Sequence, residues 1–385
     1  MVYYTKEYLR TGHFVTEYNI FKGVYDMPGK FEHKTFAQIN LSDPFFDSLK
    51  RDYPEFETNW FPKGVRENRP VLVFSDEHGL GAFVAMKIEN EPIYLNEGNL
   101  PACPRLKIST LRLAERFRGQ RLGEGALGLI LWDWQHRKLD EIYVTVFPKH
   151  TDLITQITRF GVCFVGTNAR GEHVYLRSRK KIDFSDPYKA FPFLSPSFKK
   201  GGYLIVEDNF HDTLFPYSEL KNTLQEKLDI DVANGVSKIY IGAQRQVHYQ
   251  VGEPVFIYRK YSGVTGKRYK SCLTSYCIVT GVVIVKRDGR ALISFNDFCS
   301  TVGNKSIFST NELCEKFRCE KNLTVIQLLY GGYFGSGNNV NMDWLSNNGM
   351  WSSPGVYPTN VQLTQAQCAA IWNEGGLDAK DVVGG

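Results

Sequence analysis

Long hydrophobic runs are missing from this 385-residue sequence. No stretch approaches the roughly 18 consecutive apolar residues that a membrane-spanning helix needs. The N-terminal residues 1–14, MVYYTKEYLRTGHF, also lack the apolar centre of a signal peptide. We therefore expect a soluble, cytoplasmic protein that is not bound to a membrane.

Close cysteine pairs and clusters of metal ligands are missing too. The eight cysteines are scattered, and the closest pairs, Cys272 with Cys277 and Cys314 with Cys319, are separated by four residues rather than two. This spacing favours neither a zinc ribbon nor a disulfide framework. Since histidines and carboxylates do not group at metal-ligand spacing either, we expect free thiols and no bound metal.

A strong charge imbalance is absent as well. The net charge is +5, which by itself is weak evidence for a nucleic-acid partner. The chain is 43% hydrophobic and 23% charged, which is typical of a folded protein, and it is too long for a single core. The segment 181–202 is rich in proline, serine and lysine and predicts a linker. The predicted units are a leader (1–35), a first domain (36–180), this linker and a second domain (203–385).

The usual nucleotide-binding motifs are not present. The sequence has no G-x-x-x-x-G-K-[ST], and its glycine-rich turn is not G-x-G-x-x-G. What it has is RFRGQRLGEG, Arg116–Gly125, between a strand-like run (106–113) and a helix-like run (122–134). Such a turn aims free main-chain amides and the positive end of a helix at one point. Its glycines permit close approach and its arginines add charge, so we predict a phosphate-bearing cofactor there; a basic surface turn is the alternative.

The segments around this turn have a definite order. Two short helices are predicted. The first lies in SDPFFDSLKRDY (42–53), with Ser42 as its cap, and the second lies in PEFETNWFPK (54–63). A hairpin (71–88), the strand, the turn and its helix follow, and then a strand (141–147), a helix (151–159) and a closing pair of strands.

This order, together with the turn, resembles the GNAT family of N-acetyltransferases, whose signature for acetyl-coenzyme A is Arg/Gln-x-x-Gly-x-Gly/Ala. Gln120, Gly123 and Gly125 match the signature literally, and we prefer a register that begins at Arg118. The resemblance implies an α/β (α+β) fold in which a mixed sheet is flanked by helices, with a cleft where the strand ending at Leu113 splays from the strand 141–147. It implies acetyl-CoA as cofactor, held by the following residues: Leu111, Arg112, Leu113, Arg118, Gly119, Gln120, Arg121, Leu122, Gly123, Glu124 and Gly125.

The catalytic residues are less defined by the resemblance. Many GNAT enzymes use a tyrosine on the helix after the fifth strand as general acid, and this chain has Ile157 there. We consider His150, Tyr143 and Glu115 as replacements, with His150 favoured because its ordinary pKa is near neutrality. The alternatives are that His150 starts a helix, that Tyr143 is a core residue and that Glu115 is a solvated charge.

The second domain is similar, over a shorter stretch, to the PUA-like barrels of the ASCH and EVE group, although the ASCH signature G-x-K-x-x-E-x-R is absent. Such barrels bind nucleic acid by stacking bases on aromatic side chains among basic residues. We predict nucleic-acid binding, with tRNA favoured, at the mixed aromatic and basic segment that includes Tyr258, Lys260, Tyr261, Arg268 and Lys270. A charged hairpin whose tyrosines pack on the sheet is the alternative.

These features together predict an N-acetyltransferase that acts on a nucleic-acid-linked amine, on aminoacyl-tRNA or a nucleobase. Proteins that join an acetyltransferase to such a barrel resemble bacterial toxin or antiviral (phage-defence) effectors. This resemblance implies an antitoxin or inhibitory partner. A protein N-acetyltransferase and a non-catalytic coenzyme A sensor or assembly protein are the alternatives.

Overall fold

The computed structural model describes residues 31–215, 235–351 and 361–384, which form two mixed β-sheets with helices packed on them. The predicted mixed α/β class, with a second β-rich unit after the first, is confirmed. None of the helices within the described ranges combines the length and the apolar character required to cross a bilayer.

The first sheet has seven strands in the order β1-β2-β3-β6-β7-β9-β8, and a separate two-stranded hairpin is made by β4 and β5. Only the β6–β7 pair is parallel in this sheet. The strands are β1 (Phe31–Thr35), β2 (Pro70–Asp76), β3 (Gly79–Glu89), β4 (Ile93–Leu95), β5 (Gly98–Leu100), β6 (Arg105–Leu113), β7 (Glu141–Val146), β8 (Cys163–Thr167) and β9 (His173–Ser178).

Helices cover both faces of this sheet. On one face lie α1 (Asp47–Asp52) and α2 (Phe61–Arg66), which bury an aromatic cluster around Phe36, Phe46 and Phe83. On the other face lie α3 (Leu122–His136) and α4 (Thr151–Arg159), packed on the alternate side chains of the same strands. A 3₁₀ turn (Pro44–Phe46) precedes α1 and a π-helical turn (Phe56–Trp60) precedes α2.

The parallel pair at the centre of the sheet is short. β6 pairs with β7 only from Arg105 opposite Glu141 to Ile108 opposite Val144. The register of β6 with β3 shifts at this point, between Ile108 and Thr110, which leaves Ser109 as a bulge. From Ser109 to Leu113, β6 therefore continues beside β3 while its other edge is separated from β7.

The second sheet has the order β10-β12-β13-β15-β11, with β14 and β16 paired to β13. Its strand β13 spans 16 residues and carries three register shifts, which bend the sheet. The strands are β10 (Gly202–Glu207), β11 (Ser237–Gly242), β12 (Pro254–Lys260), β13 (Cys272–Arg287), β14 (Arg290–Ala291), β15 (Leu323–Tyr333) and β16 (Val340–Asn341). The helices of this part are α5 (Pro187–Ala190), α6 (Asp208–Leu214), α7 (Lys267–Lys270), α8 (Phe295–Val302), α9 (Thr310–Cys319), α10 (Met342–Asn347), α11 (Gln365–Glu374) and α12 (Ala379–Val382).

The segment between the units is packed rather than exposed, so the prediction of a linker at 181–202 is wrong in structural terms. Phe191, Phe193 and Phe198 are buried in a core that is continuous with both sheets. The buried guanidinium of Arg177 donates to the carbonyls of Phe160 and Lys189, at 2.9 and 2.6 Å. Proline and serine in this segment mark its turns, and its aromatic residues attach it to the core.

Other local predictions are also corrected. Residues 31–35, assigned to a leader, form the edge strand β1, while residues 1–30 lie outside the described ranges. Asp43 rather than Ser42 caps the first helical segment, because its carboxylate accepts the Phe45 amide at 2.8 Å.

The second unit packs directly on α3. Trp132 of this helix lies 5.7 Å, centroid to centroid, from Tyr330 of β15. Gly128 faces Val236 so closely that a Cβ at this position would overlap the valine side chain. Helix α3 is therefore buried between the two sheets, and its N-terminal end emerges at their common border.

Candidate active site

The predicted phosphate turn, which we define as Arg118–Gly125, is exposed at Arg118 and Gly119 and becomes buried where α3 begins. Gly119 and Arg121 have positive φ angles of 80° and 60°, and α3 begins at Leu122. The Gly125 amide bonds back to the Arg121 carbonyl at 3.1 Å. Within the described residues, the amides of Gly119, Leu122 and Gly123 make no bond to another main-chain group. The first turn of α3 therefore leaves the donors that an anion requires.

The glycines of the turn serve different purposes. Gly119 is exposed, and nothing lies within 4 Å of the position that its Cβ would occupy. A Cβ on Gly123 would meet Leu113 Cδ1 at 2.8 Å. Gly119 thus allows the left-handed backbone and leaves space above the turn, whereas Gly123 lets α3 approach β6 closely.

All three arginines of this region lie beside a carboxylate, but their exposure differs. Arg116 contacts Asp76 at 2.7 Å and also donates to the Gly79 carbonyl at 3.0 Å. Arg118 is largely exposed and lies 3.4 Å from the exposed Asp152. Arg121 is buried with Glu124, at 3.0 Å. Of the three, Arg118 has the most exposed ion pair, so its charge is the most accessible to a ligand.

Arg121 and Glu124 join the turn to the second unit. The Arg121 guanidinium donates to the Ser237 carbonyl and, at 2.8 Å, to the Ser237 hydroxyl. The Ser237 amide donates to the Glu124 carboxylate at 2.5 Å. Burial alone would raise the pKa of Glu124, but Arg121 and Ser237 outweigh it and hold this pKa below its ordinary value. These two side chains have a structural role, so we leave them out of the proposed phosphate site.

The groove that we consider for a ligand is the edge of β6 from Ser109 to Leu113, which is not paired with β7. Leu111 and Leu113 are half-buried along it, and the Leu113 carbonyl accepts a bond from Arg112 Nη1 at 2.7 Å. Ser109 Oγ and Arg112 Nε are buried without a hydrogen-bond partner in the described part of the chain. Polar atoms in this state favour occupation of the groove by a group that can hydrogen-bond.

His150 lies near the end of β7, where the two strands have separated. Its side chain is 40% exposed, and its Nε2 is 3.6 Å from the carboxylate of Asp52, which Lys149 also contacts at 2.8 Å. Burial, and then the charge of Lys149, lower the pKa of His150, so the imidazole is neutral at pH 7. It occupies the N-cap position of α4, as the helix-start alternative expects, and its carbonyl accepts the Ile154 amide at 3.1 Å, although its side chain makes no capping hydrogen bond.

The other two catalytic candidates are placed differently. Tyr143 is 3% exposed and packs with Ile93 and Val174 under the β4–β5 hairpin. Its prediction as an acid is therefore wrong, because it belongs to the core on which the hairpin closes. Glu115 is exposed in the 3₁₀ turn Glu115–Phe117, and its carbonyl accepts the Arg118 amide at 2.9 Å. The structure places it at the mouth of the turn rather than at the strand separation.

Sequence reasoning missed a polar cluster at the strand separation. Thr145 follows the last β7 residue that pairs with β6, and its hydroxyl donates to Glu172 at 3.4 Å. The Tyr53 hydroxyl donates to the same carboxylate oxygen at 3.3 Å. Burial and the Glu172 charge raise the pKa of Tyr53, which keeps its hydroxyl protonated. No motif joins residues 119 positions apart, so only the fold could reveal this contact.

The predicted nucleic-acid segment is mostly tied to its own unit. Tyr258 is 1% exposed and lies 4.7 Å, centroid to centroid, from Trp351, so its prediction as a base-stacking residue is wrong. Arg268 pairs with Asp343 at 2.5 Å and Lys260 with Glu207 at 3.2 Å. Lys270 lies over the Tyr261 ring at 4.7 Å. The exposed groups that remain are on the short helix α7, where Tyr269 is 65% exposed.

Trp351 is buried and packs with Tyr203 as well as Tyr258, which makes it a core residue. Among the described residues, no group of three or more histidine, cysteine, aspartate or glutamate side chains could hold a metal ion.

Comparison with known proteins gives similarity at the level of folds. No protein-family model matches the sequence, and no curated protein is similar to it. NAA60 of Arabidopsis thaliana, solved with a bisubstrate analogue, is 16% identical and covers 38% of this chain and 97% of its own, with a TM-score of 0.29. A mutant of the toxin AtaT, bound to the C-terminus of the antitoxin AtaR and acetyl-CoA, is 8% identical over 39% and 94%, with a TM-score of 0.28.

A further similar structure is a mutant of an ASCH protein from Zymomonas mobilis, 11% identical over 43% of this chain and 88% of its own, with a TM-score of 0.28. At such identities and TM-scores, the ligands, partners and activities of these proteins are not transferred to this chain.

Proposed function

We propose that this protein is an acetyl-CoA-dependent N-acetyltransferase. One observation carries the proposal: β6 leaves β7 after Ile108, and the strand edge freed there runs to Leu113, which a short 3₁₀ turn joins to the phosphate turn with its three available amides. A ligand with a diphosphate at one end and an amide-bearing arm at the other fits this arrangement. Acetyl-CoA has both groups. The diphosphate would bind the amides of Gly119, Leu122 and Gly123, and the pantetheine arm would bond the main chain of Leu111 and Leu113.

The reacting end of the coenzyme would then lie where the strands separate. His150 is the proposed general base, because its neutral imidazole can accept the proton that the attacking amine releases. Asp52 is placed to orient it from 3.6 Å. Glu172, which accepts hydrogen bonds from Tyr53 and Thr145, would accept a further hydrogen bond from the incoming amine.

The acceptor that we propose is an amine linked to nucleic acid, on aminoacyl-tRNA or a nucleobase, with the second unit acting as a PUA-like domain. Its support is the exposed part of the aromatic and basic segment, namely Lys267, Tyr269 and Lys270 on α7. A role as a toxin or defence effector, with an antitoxin or inhibitory partner, belongs to the same proposal. A sensor that binds coenzyme A without catalysis is a second candidate, because Ile157 is buried where a general acid is often found.

The coenzyme site is tested by two variants of nearly equal shape. Gly119→Asp and Gly119→Asn both place a side chain in open space, and Asn and Asp both tolerate a positive φ. We expect acetyl-CoA to bind the Asp variant at least about tenfold more weakly than the Asn variant, since only the carboxylate repels the diphosphate. Calorimetric titration gives both affinities.

Gly123→Asp is a poorer test of the same contact, because the clash of any Cβ with Leu113 would disturb the fold as well. Equal affinities for the two Gly119 variants, or no heat of binding for the unaltered protein, would contradict the coenzyme site. Labelled acetyl-CoA offered with total tRNA, DNA and protein then identifies the acceptor. Incorporation into protein alone would contradict the nucleic-acid acceptor, and no incorporation despite binding would favour the sensor.

A further inference from the structure

A loop of the second unit reaches the phosphate turn. The loop joins α8 to α9 and contains Asn304 and Lys305. Asn304 Nδ2 donates to the Gly119 carbonyl at 3.0 Å, across 185 positions of sequence. Gly119 is exposed, and the space around its Cβ position is open to 4 Å. The loop therefore borders the space that lies above the free amides.

The same strand fixes the loop and the start of α3. The Ile239 amide of β11 donates to the Lys305 carbonyl at 3.2 Å. Two residues earlier in β11, Ser237 contacts both Arg121 and Glu124. The phosphate turn, β11 and the loop are thus connected by hydrogen bonds, so the position of Lys305 relative to the turn is defined by the fold.

Within the described part of the chain, Lys305 has no partner for its charge. The residue is half-buried, and no carboxylate or other acceptor among the described residues pairs with its ammonium. Burial lowers the pKa of Lys305, and the charge of Arg121 lowers it further. The carboxylate that acts in the opposite direction is Glu124, whose oxygen is already bonded to Arg121 and Ser237. A half-buried cation in this state favours a bound anion.

Neighbouring groups add to the positive potential. Arg121 is 7% exposed at its side chain, and its Nε and Nη1 are buried without a hydrogen-bond partner in the described part of the chain. Arg159, at the end of α4, also contributes a repulsive charge at Lys305. The charges that act on Lys305 are therefore two cations, Arg121 and Arg159, and one carboxylate, Glu124, which is already bonded to Arg121 and Ser237.

We infer that Lys305 binds a phosphate group of the coenzyme, so that the second unit completes the coenzyme site of the first. The inference rests on the proposed function, because it takes the free amides of the phosphate turn as the neighbouring part of the same site. Coenzyme A offers two phosphate groups of suitable chemistry, the diphosphate and the 3′-phosphate of the ribose. An ammonium is a point-like donor that suits either group.

The test compares the full-length protein with Lys305→Gln and Lys305→Arg by calorimetric titration. Each is titrated with acetyl-CoA and with acetyl-dephospho-CoA, which lacks the 3′-phosphate. Lys63→Gln is the control, since Lys63 is a lysine of α2 on the opposite face of the first sheet, with its side chain 54% exposed. We expect Lys305→Gln to weaken acetyl-CoA binding roughly 10- to 100-fold, as for a lost charge-assisted hydrogen bond. Lys305→Arg and Lys63→Gln should retain most of the affinity.

The two ligands separate the two phosphates. A loss with acetyl-CoA alone assigns Lys305 to the 3′-phosphate, and an equal loss with both ligands assigns it to the diphosphate; either result supports the inference. Unchanged affinity of Lys305→Gln, in a protein that binds acetyl-CoA when unaltered, would overturn the inference and leave the proposed function standing. Failure of the unaltered protein to bind acetyl-CoA would overturn both.

Discussion

The phosphate turn and the segment from Tyr258 to Lys270 are both rich in basic residues, yet they differ in which groups remain free. At the turn, the side chains of Arg116 and Arg121 are paired, while the amides of Gly119, Leu122 and Gly123 bond to no main-chain group of the described residues. In the second segment, Tyr258 and Arg259 lie in the paired strand β12, and their side chains are buried. A count of basic residues therefore says little about whether a segment can bind a ligand. What matters is whether main-chain or side-chain donors remain free.

The largest expected effect is on the free energy of unfolding, and it separates the two arginines of the phosphate turn, Arg121 and Arg118. Arg121→Ala leaves the buried Glu124 carboxylate without its cation, and we expect a loss of about 3–5 kcal/mol in the free energy of unfolding. Arg118→Gln, at an exposed position of the same turn, should leave stability unchanged and weaken acetyl-CoA binding a few-fold. Chemical denaturation and calorimetry measure the two quantities. Equal free energies of unfolding for the two variants would contradict the structural role assigned to Arg121 and not to Arg118.

A second test concerns the predicted nucleic-acid segment. Tyr258→Ala removes a buried ring that packs on Trp351, and we expect about 3 kcal/mol of destabilisation or more. Tyr269→Ala removes an exposed ring and should leave the unfolding midpoint unchanged. If nucleic acid binds here, Tyr269→Ala should weaken it, as fluorescence anisotropy with labelled tRNA would reveal. Weaker binding by a fully folded Tyr258→Ala protein, with Tyr269→Ala unaffected, would reverse the assignment.

A third test concerns the rate of the reaction rather than stability, at His150, where β6 and β7 have separated. His150→Gln should lower kcat about 100-fold if the imidazole is the general base. Because its pKa is lowered in the folded protein, kcat/KM of the unaltered enzyme should rise with pH through an apparent pKa below the ordinary 6.5 and then stay level. The acid limb should disappear in His150→Gln. If the acid limb of the pH profile persists in His150→Gln, the general base is another group, and Glu172 is the next candidate.

Much of the first unit could be predicted from its sequence. The hairpin, the strand 106–113 and the helices after it follow from apolar periodicity, and their bounds agree within a few residues. The strand β1 and the hairpin β4–β5 could not be foreseen, because each is short and gains its stability from the sheet that it joins. The segment 181–202 was misjudged because composition alone does not distinguish an exposed proline-rich segment from one that packs its aromatic residues.

The site was predictable in its main-chain part and not in its side chains. The glycine pattern located the phosphate turn, since positive φ angles and close approach both favour glycine in a local stretch of chain. Tyr143, His150 and Thr145 come from adjacent stretches, yet one is core, one is half-exposed and one faces Glu172. Alternation along a strand assigns faces to residues but does not tell which face is covered by a hairpin.

By itself, the sequence determined the local elements of this protein: the amphipathic runs, the caps and the glycine turn, whose causes lie within a few neighbouring residues. The tertiary structure decided which charges stay free, because Asp76, Ser237 and Asn304 reach this region from 40 or more positions away. It also decided that α3 lies between two sheets, so that a loop of the second unit borders the proposed coenzyme site of the first. These contacts depend on which residues are close in space, and the spacing of residues along the chain does not predict this.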